Sequence, residues 1–143
     1  MSGSSTLHVP QRFASYLAGT ERVLAIVQTT RDLDKLAGVA THSGTLILTD
    51  RRLIFVAAFP DEGVVGYYPL PAIEHLDGAR SLLGWQISFE HARDVLHFKW
   101  ITAPNARAFY RAIRDQQKVA RREAKKVQTR VSKPVPPSHR RAA

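Results

Sequence analysis

The chain has no cysteine in its 143 residues, so neither a disulfide framework nor thiol chemistry is open to it. It has no long apolar run either. The longest, Leu53 to Phe59, falls far short of the ~20 residues that span a bilayer. The opening MSGSSTLHVP lacks the apolar segment of a secretory signal. These absences make the cytoplasm the expected location, with the inner membrane face as a peripheral address. Catalytic signatures are missing as well: there is no GxSxG, no P-loop and no HExxH. The six histidines, His8, His42, His75, His91, His97 and His139, form no i, i+4 helical pair. Glu74-His75 and Glu90-His91 are adjacent, but neighbours on a strand point to opposite faces, so neither is a local dyad. The histidines are expected as surface or structural residues. No enzyme, metal, cofactor or small-molecule substrate is expected.

Positive charge is abundant and uneven. Residues 1–103 carry nine Lys/Arg against ten Asp/Glu, a net of −1, and residues 104–143 carry twelve against two, a net of +10. The basic character of the chain therefore describes its last 40 residues, not its body.

The period of the apolar residues organises the rest. Residues 1–9 read as a disordered leader. Pro10 to Leu17 reads as a short helix with Phe13, Tyr16 and Leu17 on one side. Strands are expected at Val23 to Thr30, Thr45 to Thr49, Leu53 to Phe59, Val64 to Leu70, Ile73 to Leu76 (a short edge strand), Gly84 to His91 and Val95 to Trp100. A long polar loop separates the first two. Asp50-Arg51-Arg52, Pro60-Asp61-Glu62-Gly63 and Ala92-Arg93-Asp94 read as turns, where polar residues meet water and Asp bonds its own backbone. Trp85, Ile87 and Phe89 alternate with polar neighbours and should face inward, as should Leu96, Phe98 and Trp100. Of the consecutive Tyr67 and Tyr68, one must face out. Pro104 or Asn105 opens a helix. Seven short strands followed by one helix is the pattern of a small antiparallel barrel or sandwich with a helical cap, a mainly β fold.

The segments Gly19-Thr-Glu-Arg-Val23, Gly44-Thr-Leu-Ile-Leu-Thr-Asp-Arg-Arg-Leu-Ile-Phe55 and Tyr68-Pro-Leu-Pro-Ala-Ile73 resemble the bacterial pleckstrin-homology (PH)-like domains, of the YokE-like and GRAM-related kind. The resemblance runs over about residues 12–115 and continues through the Gly84 and Val95 strands and the closing helix. It implies a seven-stranded antiparallel barrel in two near-orthogonal sheets, closed at one end by the C-terminal α-helix. It also implies a binding or assembly module without catalysis. The chain then divides into the leader 1–9, a PH-like domain 10–116, and a basic helical extension with a Pro-rich tail, 117–143.

Two basic sets are candidate contacts. In PH domains that bind phosphoinositides, the first two strands and their loop supply clustered cations. Here that loop offers Arg31, Lys35 and His42 but also Asp32 and Asp34, and its charge nearly cancels. Arg51 and Arg52 at a hairpin tip could grip a phosphate bidentately. The turn also accounts for them, with Arg51 in solvent and Arg52 covering the barrel edge or paired with Asp50. The closing helix carries more. At about 100° per residue, Ala106, Phe109, Ile113, Gln117, Ala120, Ala124 and Val127 share one stripe. Arg107, Arg111, Arg114, Lys118, Arg121, Arg122, Lys125 and Lys126 share the other side, with Asp115 and Glu123 the helix's acids. Like charges at i, i+4 repel by a few tenths of a kcal/mol each, so such a face suits an anionic partner. Its large apolar positions stop at Ile113, so its second half should project past the body. Three partner classes stay open: a protein or a second copy, an acidic membrane surface, and non-specific contact with nucleic acid.

Overall fold

In the computed structural model, the described residues are 11–32, 41–59, 65–82, 84–101 and 105–132. The expected leader 1–9, Pro10, most of the β1–β2 loop, the 60–63 turn and the Pro-rich tail lie outside them. A 3-10 turn, Gln11–Tyr16, leads into seven strands: β1 Val23–Asp32, β2 Thr41–Thr49, β3 Arg52–Phe59, β4 Val65–Pro69, β5 Glu74–Ser81, β6 Gly84–His91 and β7 Asp94–Ile101. A second 3-10 turn, Leu70–Ala72, separates β4 from β5, and one helix, α1, spans Asn105–Ser132. All strand pairs are antiparallel, in the order β4-β3-β2-β1-β7-β6-β5. The two sheets implied by the resemblance are thus two halves of one sheet. They join where β1 meets β7 at Thr30↔Lys99, Arg31↔Phe98 and Asp32↔His97.

The runs TLILT and LIFVAAF are continuous rather than alternating because β2 and β3 are covered on both faces. Leu46, Leu48, Leu53 and Phe55 point into the barrel beside Tyr68, Phe89, Phe98 and Ile101. Ile47, Ile54 and Val56 point outward, where Phe13 of the first 3-10 turn seals them with Tyr16, Leu17 and Ile26. Inside the barrel the aromatic rings meet edge-on and tilted, Phe55–Phe98 at 5.4 Å and Tyr68–Phe89 at 5.3 Å between centroids.

Helix α1 plugs the remaining opening. Ala106, Phe109 and Ile113 are buried in the same core. Tyr110 crosses β5 at Gly78, where an added Cβ would fall 2.7 Å from its ring, so only glycine admits the helix this closely.

Two expectations need correction. The fifth strand is eight residues, not the four from Ile73 to Leu76. Its sequence, EHLDGARS, is polar because it ends the sheet and, among the described residues, pairs with β6 alone. Trp100 does not face inward; it is 44% exposed. The register slips where Trp85 pairs Ile101 but Ile87 pairs Phe98, and Trp100 takes a left-handed φ of 58°. One extra residue inverts the alternation, so Ile101 fills the core and Trp100 turns out. Trp85 is half-buried against the core, and Tyr67 is the exposed tyrosine of its pair.

Removing the ring that plugs the barrel should be costly. Phe109→Ala is expected to lose about 3–5 kcal/mol in urea unfolding. Arg122→Ala, on the outer face of the same helix, should stay within about 0.5 kcal/mol.

Candidate functional site

Three parts of the surface bear on function: the β2–β3 turn, the exposed face of α1, and a groove beside β1. The turn is a knot of hydrogen bonds. Thr49, fully buried, accepts the amides of Arg51 and Arg52 at 3.1 and 3.0 Å and donates its hydroxyl to Glu21 Oε2 at 2.6 Å. Arg52 closes a fork on the same carboxylate, Nε to Oε2 and Nη2 to Oε1, both 2.9 Å, and Nη2 also donates to the Tyr16 carbonyl at 2.9 Å. Its guanidinium lies 4.6 Å from the Tyr67 ring centroid. The partner of Arg52 is therefore Glu21 and not Asp50. Asp50 instead accepts the Arg22 amide at 3.1 Å. Arg51, exposed, donates to the Thr20 hydroxyl. Of the two expected phosphate contacts, Arg52 is already committed inside the protein, and Arg51 alone faces outward.

Burial by itself would push the Glu21 carboxyl up. The bonds from Arg52, Thr49 and the Ala18 amide, together with the Arg52 charge, outweigh it and hold the group below its ordinary 4.5. Local sequence gives no sign of this pair, since its members stand 31 positions apart. The expected motif segments Gly19–Val23 and Gly44–Phe55 each contain one half of it.

The helix is bolted to the same end. Gln116 Nε2 donates to the Asp50 carbonyl at 3.2 Å. Gln117, buried within the apolar stripe, donates to the Ile73 carbonyl at 2.8 Å and the Leu70 carbonyl at 3.3 Å. Arg121 Nη2 reaches the Ile73 carbonyl at 2.7 Å. Contact with the body thus runs four residues beyond the expected boundary at residue 117. From Arg121 to Val127 every residue is exposed.

Arg107, Arg111, Arg114, Lys118, Arg122, Lys125 and Lys126 are exposed on the outer side of α1, with Arg121 beside them. Arg114 leans over the Tyr110 ring at 5.9 Å, and Lys126 pairs with Glu123 at 3.7 Å. An exposed pair of this kind contributes little, so the face stays strongly cationic.

The groove, about 390 Å³, lies between β1 and the first half of α1. Leu24, Ala25, Val27, Ala108 and Phe109 line it, and Asn105 is the one polar side chain among the described lining residues, so these offer no acid–base or nucleophilic set. Among the described residues no group of three or more His, Cys, Asp or Glu gathers as for a metal. His75, whose neighbour in sequence is Glu74, pairs instead across the strands with Glu90 at 2.8 Å. The bulge between Glu74 and Asp77 makes that pairing. No helix among the described residues is long and apolar enough to cross a membrane.

The strand order, the capping helix and the family comparison agree: residues 17–115 match the bacterial PH domain family. The chain belongs to that family. The narrower YokE-like or GRAM-related placement is not part of the match. This PH domain is also similar to the C-terminal domain of a Leishmania infantum protein. That likeness has a TM-score of 0.58 and 16% identity, and covers 73% of this chain and 90% of the other. It is similar to the N-terminal PH domain of Vps36, with a TM-score of 0.56 and 12% identity over 71% of this chain and 83% of the other. At such identities the likeness is one of fold. No curated protein matches significantly. PH-like domains are typically binding or interaction modules and generally non-catalytic.

The knot predicts an acid limb. The folded state holds Glu21 below its ordinary value, so its contribution is complete above that value and is lost as pH falls through the lowered one. Urea unfolding between about pH 3 and pH 7 should show stability dropping below about pH 4.5. Glu21→Gln should cost about 1.5–3 kcal/mol at pH 7 and show a shallower drop.

Proposed function

We propose that this PH domain is a non-catalytic binding and assembly module that presents the outer face of α1 to an anionic partner. One observation carries the reading. Arg107, Arg111, Arg114, Lys118, Arg122, Lys125 and Lys126 are all exposed on one rigid helix, while the body through residue 103 has a net charge near zero. A helix fixes these cations at about 1.5 Å per residue, so the array meets an extended negative surface without first paying to order itself. The body supplies the anchor through Phe109, Ile113, Gln117 and Arg121. Arg51, outward on the β2–β3 turn, is a further candidate phosphate contact.

The sheet ends at β4 and β5, each with one edge that has no strand partner among the described residues. Such edges suit pairing with a protein partner or a second copy. The setting proposed is the cytoplasm, with the inner membrane face as the place of contact.

Heparin retention tests the anionic reading. The chain with Arg114→Glu, Lys118→Glu, Arg122→Glu and Lys125→Glu should melt at the same temperature, because those side chains are exposed. It should bind heparin at least about tenfold more weakly at ~0.1 M salt. Equal retention of the two proteins would remove the helix face as the contact. For assembly, light scattering should detect a species larger than the monomer at high concentration; a strict monomer would remove that part.

A further inference from the structure

Strand β1 stands in the middle of the sheet, yet half of it is an edge. Its pairing with β2 runs the whole length, from Val23↔Thr49 to Asp32↔Thr41. Its pairing with β7 covers only Thr30, Arg31 and Asp32. The β7 bulge ends the ladder. Trp100 takes a left-handed φ of 58°, and the chain leaves the sheet after Ile101 for α1. The Thr29 hydroxyl donates to the Lys99 carbonyl at 2.9 Å where the pairing stops. From Val23 to Gln28, every second residue therefore turns its amide and carbonyl away from β2, with no strand to receive them among the described residues. Burial records the opening. Leu46, Ile47 and Leu48 of β2 are 0% exposed, whereas Ala25 and Ile26 opposite them are half-buried and Leu24 is exposed.

The groove beside β1 follows this edge. Leu24, Ala25, Ile26 and Val27 all line it. Consecutive strand residues point to opposite faces, so four in a row meet one groove because it runs along the backbone edge itself. The facing wall is α1 at Asn105, Ala108 and Ala112, spaced to share one side of the helix. Two of the three end at Cβ, which sets that wall back from the strand.

We infer that this groove takes one extended segment of a partner protein, added as a strand on the free half of β1 and packed against the alanines of α1. Strand addition supplies main-chain hydrogen bonds, and the walls select alternate side chains. Four lining residues of β1 make about 13 Å of edge, room for about four residues of the incoming strand. The walls set the occupant's chemistry. β-branched apolar side chains suit a pleated, half-buried surface of leucine and alanine. Proline is barred where the segment must donate to β1. Arg111 is exposed one turn from Ala108, and the helix face beyond it is cationic, whereas Asp115 comes after the last lining residue. The segment therefore carries an acid and no cluster of bases. The chain's own KPVPPSHRRAA fails on both proline and charge. A second barrel fits poorly, because a groove walled by a helix admits one strand and not the side of a sheet. The site is separate from the outer helix face, so heparin retention does not decide it.

Amide hydrogen exchange on the full chain tests the edge. Alternate amides from Leu24 to Gln28 should exchange at least about a hundredfold faster than those of Leu46 to Leu48. Slow exchange throughout β1 overturns the free edge. A displayed library of random heptapeptides, selected on the full chain and counter-selected on Ala108→Trp, supplies the probe for the occupant. Selected peptides should alternate β-branched residues, carry an acid and slow the same β1 amides when bound. Ala108 is exposed, so Ala108→Trp should keep the melting temperature and heparin retention while weakening the peptides about tenfold or more. N-methylation along one edge of the peptide should abolish binding, and along the other edge spare it. Binding that survives every N-methylation overturns strand addition. A basic or Pro-rich consensus overturns the stated partner, and a library that yields nothing dependent on Ala108 overturns the groove.

Discussion

The fork of Arg52 on Glu21 holds together three parts of the chain that sequence keeps apart. It fixes the approach to β1, the β2–β3 turn and, through the Tyr16 carbonyl, the end of the first 3-10 turn. The 3-10 turn seals the outer apolar face of β2 and β3 with Phe13, so that face stays dry while the turn stays placed. Thr49 ties the carboxylate to the turn amides, and Asp50 ties the turn to Arg22 and to Gln116 of the helix. A buried ion pair of this sort gains because its remaining hydrogen-bonding capacity is filled. Removing either partner would leave a charge stranded in the seal.

That arrangement explains how α1 can carry so many cations without upsetting the fold. The helix is secured by Phe109 and Ile113 in the core and by Gln117 and Arg121 on the carbonyls around the second 3-10 turn. Those carbonyls need donors where β4 gives way to β5, and the helix provides them. The inner side of α1 is thus spent on the barrel, and the outer side is left to solvent. Division of labour within one helix follows from its 3.6-residue period.

Much of the fold was legible because burial imposes periodicity. β6 alternates cleanly, β3 runs apolar because both its faces are covered, and α1 begins at Asn105, one of the two residues, with Pro104, expected to open it. The basic face of α1 was legible for the same reason. What stayed hidden depends on contacts between distant residues or on a break in period. The β7 bulge reversed Trp100, and the polar edge strand β5 shows an apolar period no further than Leu76. Arg52 reads from local sequence as a possible phosphate contact, a cover for the barrel edge or a partner of Asp50, because Glu21, its true partner, is far away along the chain. Gln117 stands in the apolar stripe by its spacing alone, whereas its amide fastens the helix to the Ile73 and Leu70 carbonyls.

This PH domain is a nearly neutral body that holds a cationic helix in a fixed place. The most direct test is the salt dependence of heparin affinity for the full chain. If several cations on α1 each displace counterions, log affinity should fall linearly and steeply with log salt, with a slope of several units. An affinity that stays flat from about 0.05 to 0.5 M salt, well past the range where exposed charges are screened, would contradict the account.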